Sequence, residues 1–313
     1  MVQNWAIETE KLRKDYPGVT AVRDVDLRIP CGVVHGFLGP NGAGKSTTLR
    51  MVCGLLRPTS GTVRLMGQDP HDEATSGPGP VGWLPEIPPL YPEMGVQEFL
   101  HFAGQLHGVP RGMLTAAIAR VLEQTGLGHV RHRVIGNLSK GYRQRVGIAQ
   151  ALVHDPAVVV LDEPTAGLDP QSVVEIRALV RSLKGHKTVV FSSHILPEVE
   201  AVCDTISIID QGVLRVSGDL AEVKASFRGA ESLQVELAQP MPEADLAWLR
   251  SQPFISSAAL EGRFLRVHPR DGAEVRGELM RALVGRNVDV WGLARKGAEL
   301  EDVFIRLTHK GDS

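Results

Sequence analysis

The sequence predicts an α/β fold built on a parallel sheet, followed by a smaller α+β domain. Three observations carry this. A glycine-rich loop lies between an apolar run and a helical one in GFLGPNGAGKSTTLRMV; two short apolar runs bracket a single helix between 157 and 194; and a strand-helix-strand-strand-helix-strand order begins at Ser232.

Taken in chain order, AVRDVDLRI (21–29) alternates apolar and polar residues, the period of a half-buried strand in an antiparallel sheet. VVHGFLG from Val33 is instead a short apolar strand ending in glycine, and KSTTLRMVCGLL after it sets Leu49, Val52 and Leu55 or Leu56 at helical spacing. Helical segments follow between about Val96 and Val153, separated by HGVP and by TGLGHVRHRVIGNLS. AVVVLDEP (157–164) and TVVFSSH (188–194) read as strands covered on both faces, and PQSVVEIRALVRSLKG between them is a helix opened by Pro170 and closed by Gly185. TISIIDQGVLRVSGD is hairpin-like, and from Ser232 the order suits a ferredoxin-like α+β domain.

With 34 Lys+Arg against 36 Asp+Glu in 313 residues, the formal net charge of -2 argues against a surface built to neutralise nucleic-acid phosphates. Cys31, Cys53 and Cys203 are too scattered for a disulfide framework or a zinc site; buried filler roles in a reducing cytoplasm are expected. The N-terminus has no apolar leader core and no eighteen apolar residues run together, so the chain is expected neither to enter nor to span a bilayer alone.

Gly39, Gly44, Lys45 and Ser46 fit G-x-x-x-x-G-K-[ST]. In such a loop successive backbone N–H groups face phosphate oxygens, the lysine reaches the β- and γ-phosphates, and the hydroxyl ligates Mg²⁺. Over a hundred residues later VVVLDEP ends in Asp162 and Glu163. At the carboxyl end of a parallel strand these lie beside the loop, Asp162 suited to a place behind the metal's direct ligands and Glu163 to a general base for water.

The ordered set GPNGAGKST, LPEIPPLYPEM, LSKGYRQR, VVVLDEPTAGLDP and FSSH resembles the nucleotide-binding subunit of an ATP-binding-cassette (ABC) transporter, over Trp5 to about Asp219 and more weakly to the C-terminus. The resemblance implies a P-loop NTPase cassette at 5–224: a RecA-like parallel sheet, an antiparallel β subdomain and a helical subdomain at about 93–153. An accessory α+β domain would span 230–313. It implies ATP and Mg²⁺ as ligands, with Gly39, Pro40, Asn41, Gly42, Ala43, Gly44, Lys45, Ser46 and Thr47 around the phosphates, and Ser46, Glu86 and Asp162 on the metal side. Tyr16 matches the adenine-stacking aromatic, or packs its own loop; His194 matches the histidine at the γ-phosphate.

Asp169 matches the loop that crosses between subunits. Ser139, Lys140 and Gly141 match the signature that binds the γ-phosphate held by the opposite subunit, so that catalysis is complete only in a head-to-tail dimer. This chain departs from the family in three places. Lys140 replaces the first central glycine of the signature and either adds charge near phosphate or is solvated; Tyr142 replaces its glutamine, and Glu86 stands where the metal-contacting loop has glutamine. Prolines 85, 88, 89 and 92 stiffen the connector, where Leu90 and Tyr91 either receive a helix of a membrane partner or pack under the loop. ELEDVFIRLT (299–308) is amphipathic through Leu300, Val303, Phe304 and Leu307, and closes the small core or contacts a second subunit.

The expected function is therefore ATP hydrolysis that energises a separate integral-membrane permease. The subunit pairs with a second nucleotide-binding subunit, identical or related, and lies on the inner face of the cell membrane through its partner. The departures resemble ABC-2-type exporters, which favours export. The alternatives are a cassette ATPase acting on ribosomes or DNA, which one uninterrupted cassette and no basic stripe disfavour, and a regulator without turnover, which the presence of Glu163 and His194 disfavours.

Overall fold

The computed structural model describes residues 5–72, 79, 81–226, 232–270, 275–296 and 304. The chain divides into two compact units, Met1–Leu220 and Ala221–Ser313. The amphipathic stretch 299–308 lies outside the described residues, apart from Phe304.

The first unit begins with two long strands, β1 (Trp5–Tyr16) and β2 (Val19–Pro30), then β3 (Val34–Leu38) and helix α1 (Lys45–Val52). β4 (Ser60–Leu65) and β5 (Val81–Leu84) precede three helices, α2 (Val96–Leu106), α3 (Arg111–Gln124) and α4 (Lys140–Leu152). Then come β6 (Val158–Leu161), α5 (Pro170–Leu183), β7 (Thr188–Ser193), α6 (Leu196–Val202), β8 (Thr205–Asp210) and β9 (Val213–Asp219), after which α7 (Leu220–Ser226) runs from the end of the first unit into the second.

Six strands form one sheet in the order β5-β6-β7-β3-β8-β9, parallel except for the β8–β9 hairpin. Every residue of β3, β6 and β7 is buried, as expected of valine-rich strands covered on both faces. A separate antiparallel sheet, β2-β1-β4, packs its inner residues Ile7, Leu12, Val25, Leu27 and Val63 with Phe37, Leu49 and Val160 in one core. α5 starts where proline at its first position predicts, with Asp169 as cap, and joins the adjacent parallel strands β6 and β7.

The second unit contains β10 (Ser232–Leu237), α8 (Glu243–Arg250), β11 (Ile255–Glu261), β12 (Phe264–Pro269), α9 (Arg276–Val284) and β13 (Val290–Lys296). Its sheet runs β11-β12-β10-β13 with every pairing antiparallel, the ferredoxin-like arrangement. Leu233, Val235, Leu265 and Val267 of the sheet pack with Leu246, Leu249, Leu279 and Leu283 of the helices.

The cysteines correct one expectation. Cys53 and Cys203 are buried, but Cys31 is exposed, in the turn between β2 and β3.

Candidate functional site

Four neighbouring parallel strands end at the same edge. Leu84 of β5 pairs with Leu161 of β6, Leu161 with Phe191 of β7, and Ser193 of β7 with Leu38 of β3. The residues just past these ends are therefore brought together: Glu86, Asp162 and Glu163, His194, and the loop from Gly39. This is the edge where parallel sheets bind ligands.

A cleft of ≈ 440 Å³ opens there, lined by Pro40, Asn41, Gly42, Gly44, Lys45, Ser46 and Thr47, with Glu86, Glu163 and His194 facing them. Gly44 has φ 101°, and a Cβ on it would stand 2.5 Å from the Ala21 carbonyl oxygen, so only glycine lets the loop turn into α1 at this point. The loop thus ends at a helix N-terminus, where free N–H groups and the helix dipole favour an anion.

Lys45 is 6% exposed. Its ammonium donates to the carbonyl oxygens of Gly39 at 2.7 Å and Pro40 at 3.3 Å, and lies 3.3 Å from Glu163 Oε1. The other carboxylate oxygen of Glu163 is 2.9 Å from His194 Nδ1. Glu163 has φ 48°, left-handed backbone that is strained for a non-glycine residue; its N–H donates to Ser192 Oγ at 2.8 Å, and its carbonyl accepts from Ala166 N at 3.1 Å.

Asp162 does not line the cleft. It is 2% exposed and accepts a 2.6 Å bond from Ser192 Oγ, so one serine holds both acidic residues. Beneath them a further buried carboxylate, Glu198, accepts from Thr165 Oγ1 at 2.5 Å and Ser193 Oγ at 3.2 Å. Sequence reasoning missed Ser192, Ser193 and Glu198; the two serines ahead of His194 were the available signal, since hydroxyls inside a strand buried on both faces need partners.

For Mg²⁺ the donor set fits. The Ser46 hydroxyl and the Glu86 carboxylate, both hard oxygen donors, line the same cleft as Lys45. Among the described residues no group of three or more His, Cys, Asp or Glu side chains could hold a metal, so a cation at this cleft would need oxygens of nucleotide or water as well.

The other expected residues lie elsewhere. Tyr16 ends β1, 41% exposed, with the Lys14 ammonium 5.5 Å from its ring centre, and does not line the cleft. Ser139 caps α4, accepting from Tyr142 N at 3.4 Å, and neither it, Lys140 nor Gly141 reaches the Lys45 cleft. Lys140, offered as either a phosphate contact or a solvated side chain, is exposed and donates to the Ala166 carbonyl at 2.8 Å. Tyr142 meets His129 Nε2 through its hydroxyl at 2.9 Å and carries Arg145 over its ring at 4.2 Å. Asp169 accepts from the Ser172 hydroxyl at 2.7 Å and its N–H at 3.0 Å, bonds that hold its carboxyl below the usual carboxylate range. In the connector, Tyr91 packs its ring on Phe99 and Phe102, with centres 6.2 and 5.7 Å apart, while Leu90 lines a separate pocket of ≈ 390 Å³.

Among the described residues no helix is long and apolar enough to cross a membrane. Residues 22–166 match the ABC transporter family. An uncharacterized ABC transporter ATP-binding protein, YxlF of Bacillus subtilis, is 35% identical over 97% of this chain and 99% of its own length. The Nod factor export ATP-binding protein I of Paraburkholderia xenovorans is 33% identical over 97% of both chains. Of solved structures, cbiO1 from Clostridium perfringens, part of the ABC transporter complex cbiONQ, superposes with TM-score 0.65 at 29% identity, over 72% of this chain and 92% of that one. With relatives of this kind matched along nearly its whole length and a phosphate-loop cleft inside the matched segment, the chain belongs to the ATP-binding proteins of ABC transporters, which couple ATP hydrolysis to transport.

Proposed function

We propose that this chain is the ATPase of an exporter, working as one of two head-to-tail subunits on a membrane-embedded permease. Residues 5–224 serve as its ATPase domain, with the helical subdomain at about 93–153, and 230–313 as an accessory domain. The observation that carries the reading is the convergence of Lys45, Glu163 and His194 within 3.3 and 2.9 Å at one cleft, while the capped N-terminus of α4 stands outside it. A cleft with its own lysine, carboxylate and histidine but without the signature tip is half of a site that a second subunit completes. Export is favoured by a relative that bears it in its name, the Nod factor export protein.

When nucleotide binds, Lys45 exchanges the Gly39 and Pro40 carbonyls for phosphate oxygens, and its pairing with Glu163 loosens. Glu163, oriented by His194 and by the Ser192 bond to its backbone, then accepts the proton of the attacking water. His194 also meets the γ-phosphate, and Tyr16, exposed at the end of β1, stacks on adenine. Ser46 and Glu86 would hold Mg²⁺ from the protein side, with Asp162 behind them, and the bound cation would supply charge neutralisation at the phosphates. The partner's cleft would receive Ser139 and Gly141 of this chain, with Asp169 in the crossing loop.

Glu163→Gln tests the reading. Steady-state turnover should fall by about 10²- to 10⁴-fold, while the variant still binds ATP with Mg²⁺ and elutes as a dimer on size-exclusion chromatography. A variant that keeps turnover within tenfold of the original, or stays monomeric with ATP, defeats it.

A further inference from the structure

We infer that Lys140 is a positioning residue that ties the tip of α4 to the loop carrying Glu163, so that engagement of the tip by a partner's nucleotide sets this chain's own catalytic carboxylate. The inference rests on the function proposed above and concerns a residue for which the family pattern, glycine, supplies no role.

Lys140 is the first residue of α4, and a cation at a helix N-terminus is disfavoured by the dipole unless something offsets it. Its side chain is exposed, and its ammonium donates to the Ala166 carbonyl at 2.8 Å. Ala166 lies on the short loop from Glu163 to Asp169 and lines the Lys45 cleft together with Glu163. Two backbone bonds stiffen that loop, Ala166 N to Glu163 O at 3.1 Å and Leu168 N to Thr165 O at 3.2 Å.

Its next residue, Gly167, has φ 63°, and a Cβ there would stand 2.6 Å from Lys140 Nζ. The ammonium therefore seats against the one position where the turn has no side chain. A second grip lies beside the first. A Cβ on Gly141 would meet Ser172 Oγ at 2.3 Å, and that hydroxyl donates to Asp169 Oδ2 at 2.7 Å. The tip of α4 thus holds the loop near its middle through Lys140 and touches its far end through Ser172. A glycine at 140 would make neither the ion–dipole bond nor the contact with Gly167, so in this chain a movement of the tip is passed to Ala166 and, through the Ala166–Glu163 turn, to the carboxylate.

The test compares Lys140→Met, which keeps the apolar stem and loses the donor, with Lys140→Arg, which restores a donor, both in the full chain. Lys140→Met should lower kcat about three- to tenfold at unchanged KM for ATP. It should also speed hydrogen exchange at the Ala166 and Leu168 amides by a similar factor, and Lys140→Arg should recover most of both. A salt-dependent rise in KM with kcat intact would place the ammonium on nucleotide phosphate and overturn the inference. Unchanged kcat and exchange in Lys140→Met would reduce it to a solvated lysine. If the unaltered chain turned over no ATP, the proposed function would fail, whereas the exchange comparison would still decide whether Lys140 holds the loop.

Discussion

In the first unit His35, Lys45, Asp162, Lys187 and Glu198 are all buried, and each is held by particular partners: hydroxyls, carbonyls or an opposite charge. In the second, the core is mostly leucine and valine, with Ile255, Met241 and Ala258, and among the described residues no polar side chain is buried; its charges pair at the surface, as in Arg263 with Glu236 and Arg286 with Asp245. Burying a charge or a bare hydroxyl costs free energy that apolar packing never incurs, and the cost is recovered only where every lone pair and proton finds a partner. Stability alone gives no reason to assemble Lys45, Glu163, Asp162 and Ser192 at one strand edge, with Glu163 in left-handed backbone besides. The contrast sets the buried, strained polar groups in the first unit, at the strand edge that carries the cleft.

The strongest way to break the comparison is to remove its central charge. Lys45→Ala should lower kcat/KM for ATP by about 10³-fold, the scale of losing a preorganised electrostatic contact at the reacting phosphate. Steady-state ATPase assays with Mg²⁺ decide this, and a loss of less than tenfold would mean that the buried ammonium serves the fold. The converse test is Leu265→Ala in β12, a side chain with no exposed surface. A deletion of that size should cost about 3 kcal/mol of stability in urea unfolding and leave kcat at 25 °C within twofold. A parallel collapse of kcat would show that the second unit's packing reaches the chemistry.

Much of this division was legible in the sequence, for identifiable reasons. β3, β6 and β7 were readable because apolar runs closed by glycine, by two carboxylates and by Ser-Ser-His have few other interpretations. The β-α-β-β-α-β order of the second unit was readable because its strands and helices keep their own periods. β1 was not. Lys11 takes φ 48° and its N–H donates to Asp26 Oδ1 at 2.6 Å, a bulge that shifts the register between Thr9 and Leu12 and breaks the two-residue alternation. β4 buries only Val63 and Leu65, and β5 is four residues long, too little pattern for either to register. At the site, motif spacing brought Lys45, Glu163 and His194 into view, but the bonds of Ser192 to Asp162 and Glu163 are tertiary facts. So is the bond from Lys140 to Ala166: spacing cannot tell a lysine aimed at phosphate from one turned back onto its own chain.

The smallest effect is a pH dependence, and it sharpens the comparison because it needs no nucleotide. His35 is 1% exposed, with Nδ1 2.8 Å from Thr205 Oγ1 and Nε2 3.0 Å from Ser207 Oγ, and burial pushes its pKa down to about 3. His154 is pushed down to about 4, first by burial and then by the stacked His107 ring 4.2 Å away. Both rings are therefore neutral in the fold, whereas in the unfolded chain they take up a proton below about pH 6.5. The sign follows: the stability these groups contribute is complete above pH 6.5 and is lost as pH falls from there towards 4 and then 3. For His35 alone the loss between pH 7.5 and 5.5 should be about 1.4 kcal/mol. Urea unfolding of the original chain and of His35→Gln, whose amide can still serve both hydroxyls, should give a smaller drop for the variant by about 1.4 kcal/mol. Equal drops would mean that the ring titrates in the fold as it does in the unfolded chain. The first unit would then lose one of the buried titratable groups that set it apart, and the contrast would rest on the groups around the cleft alone.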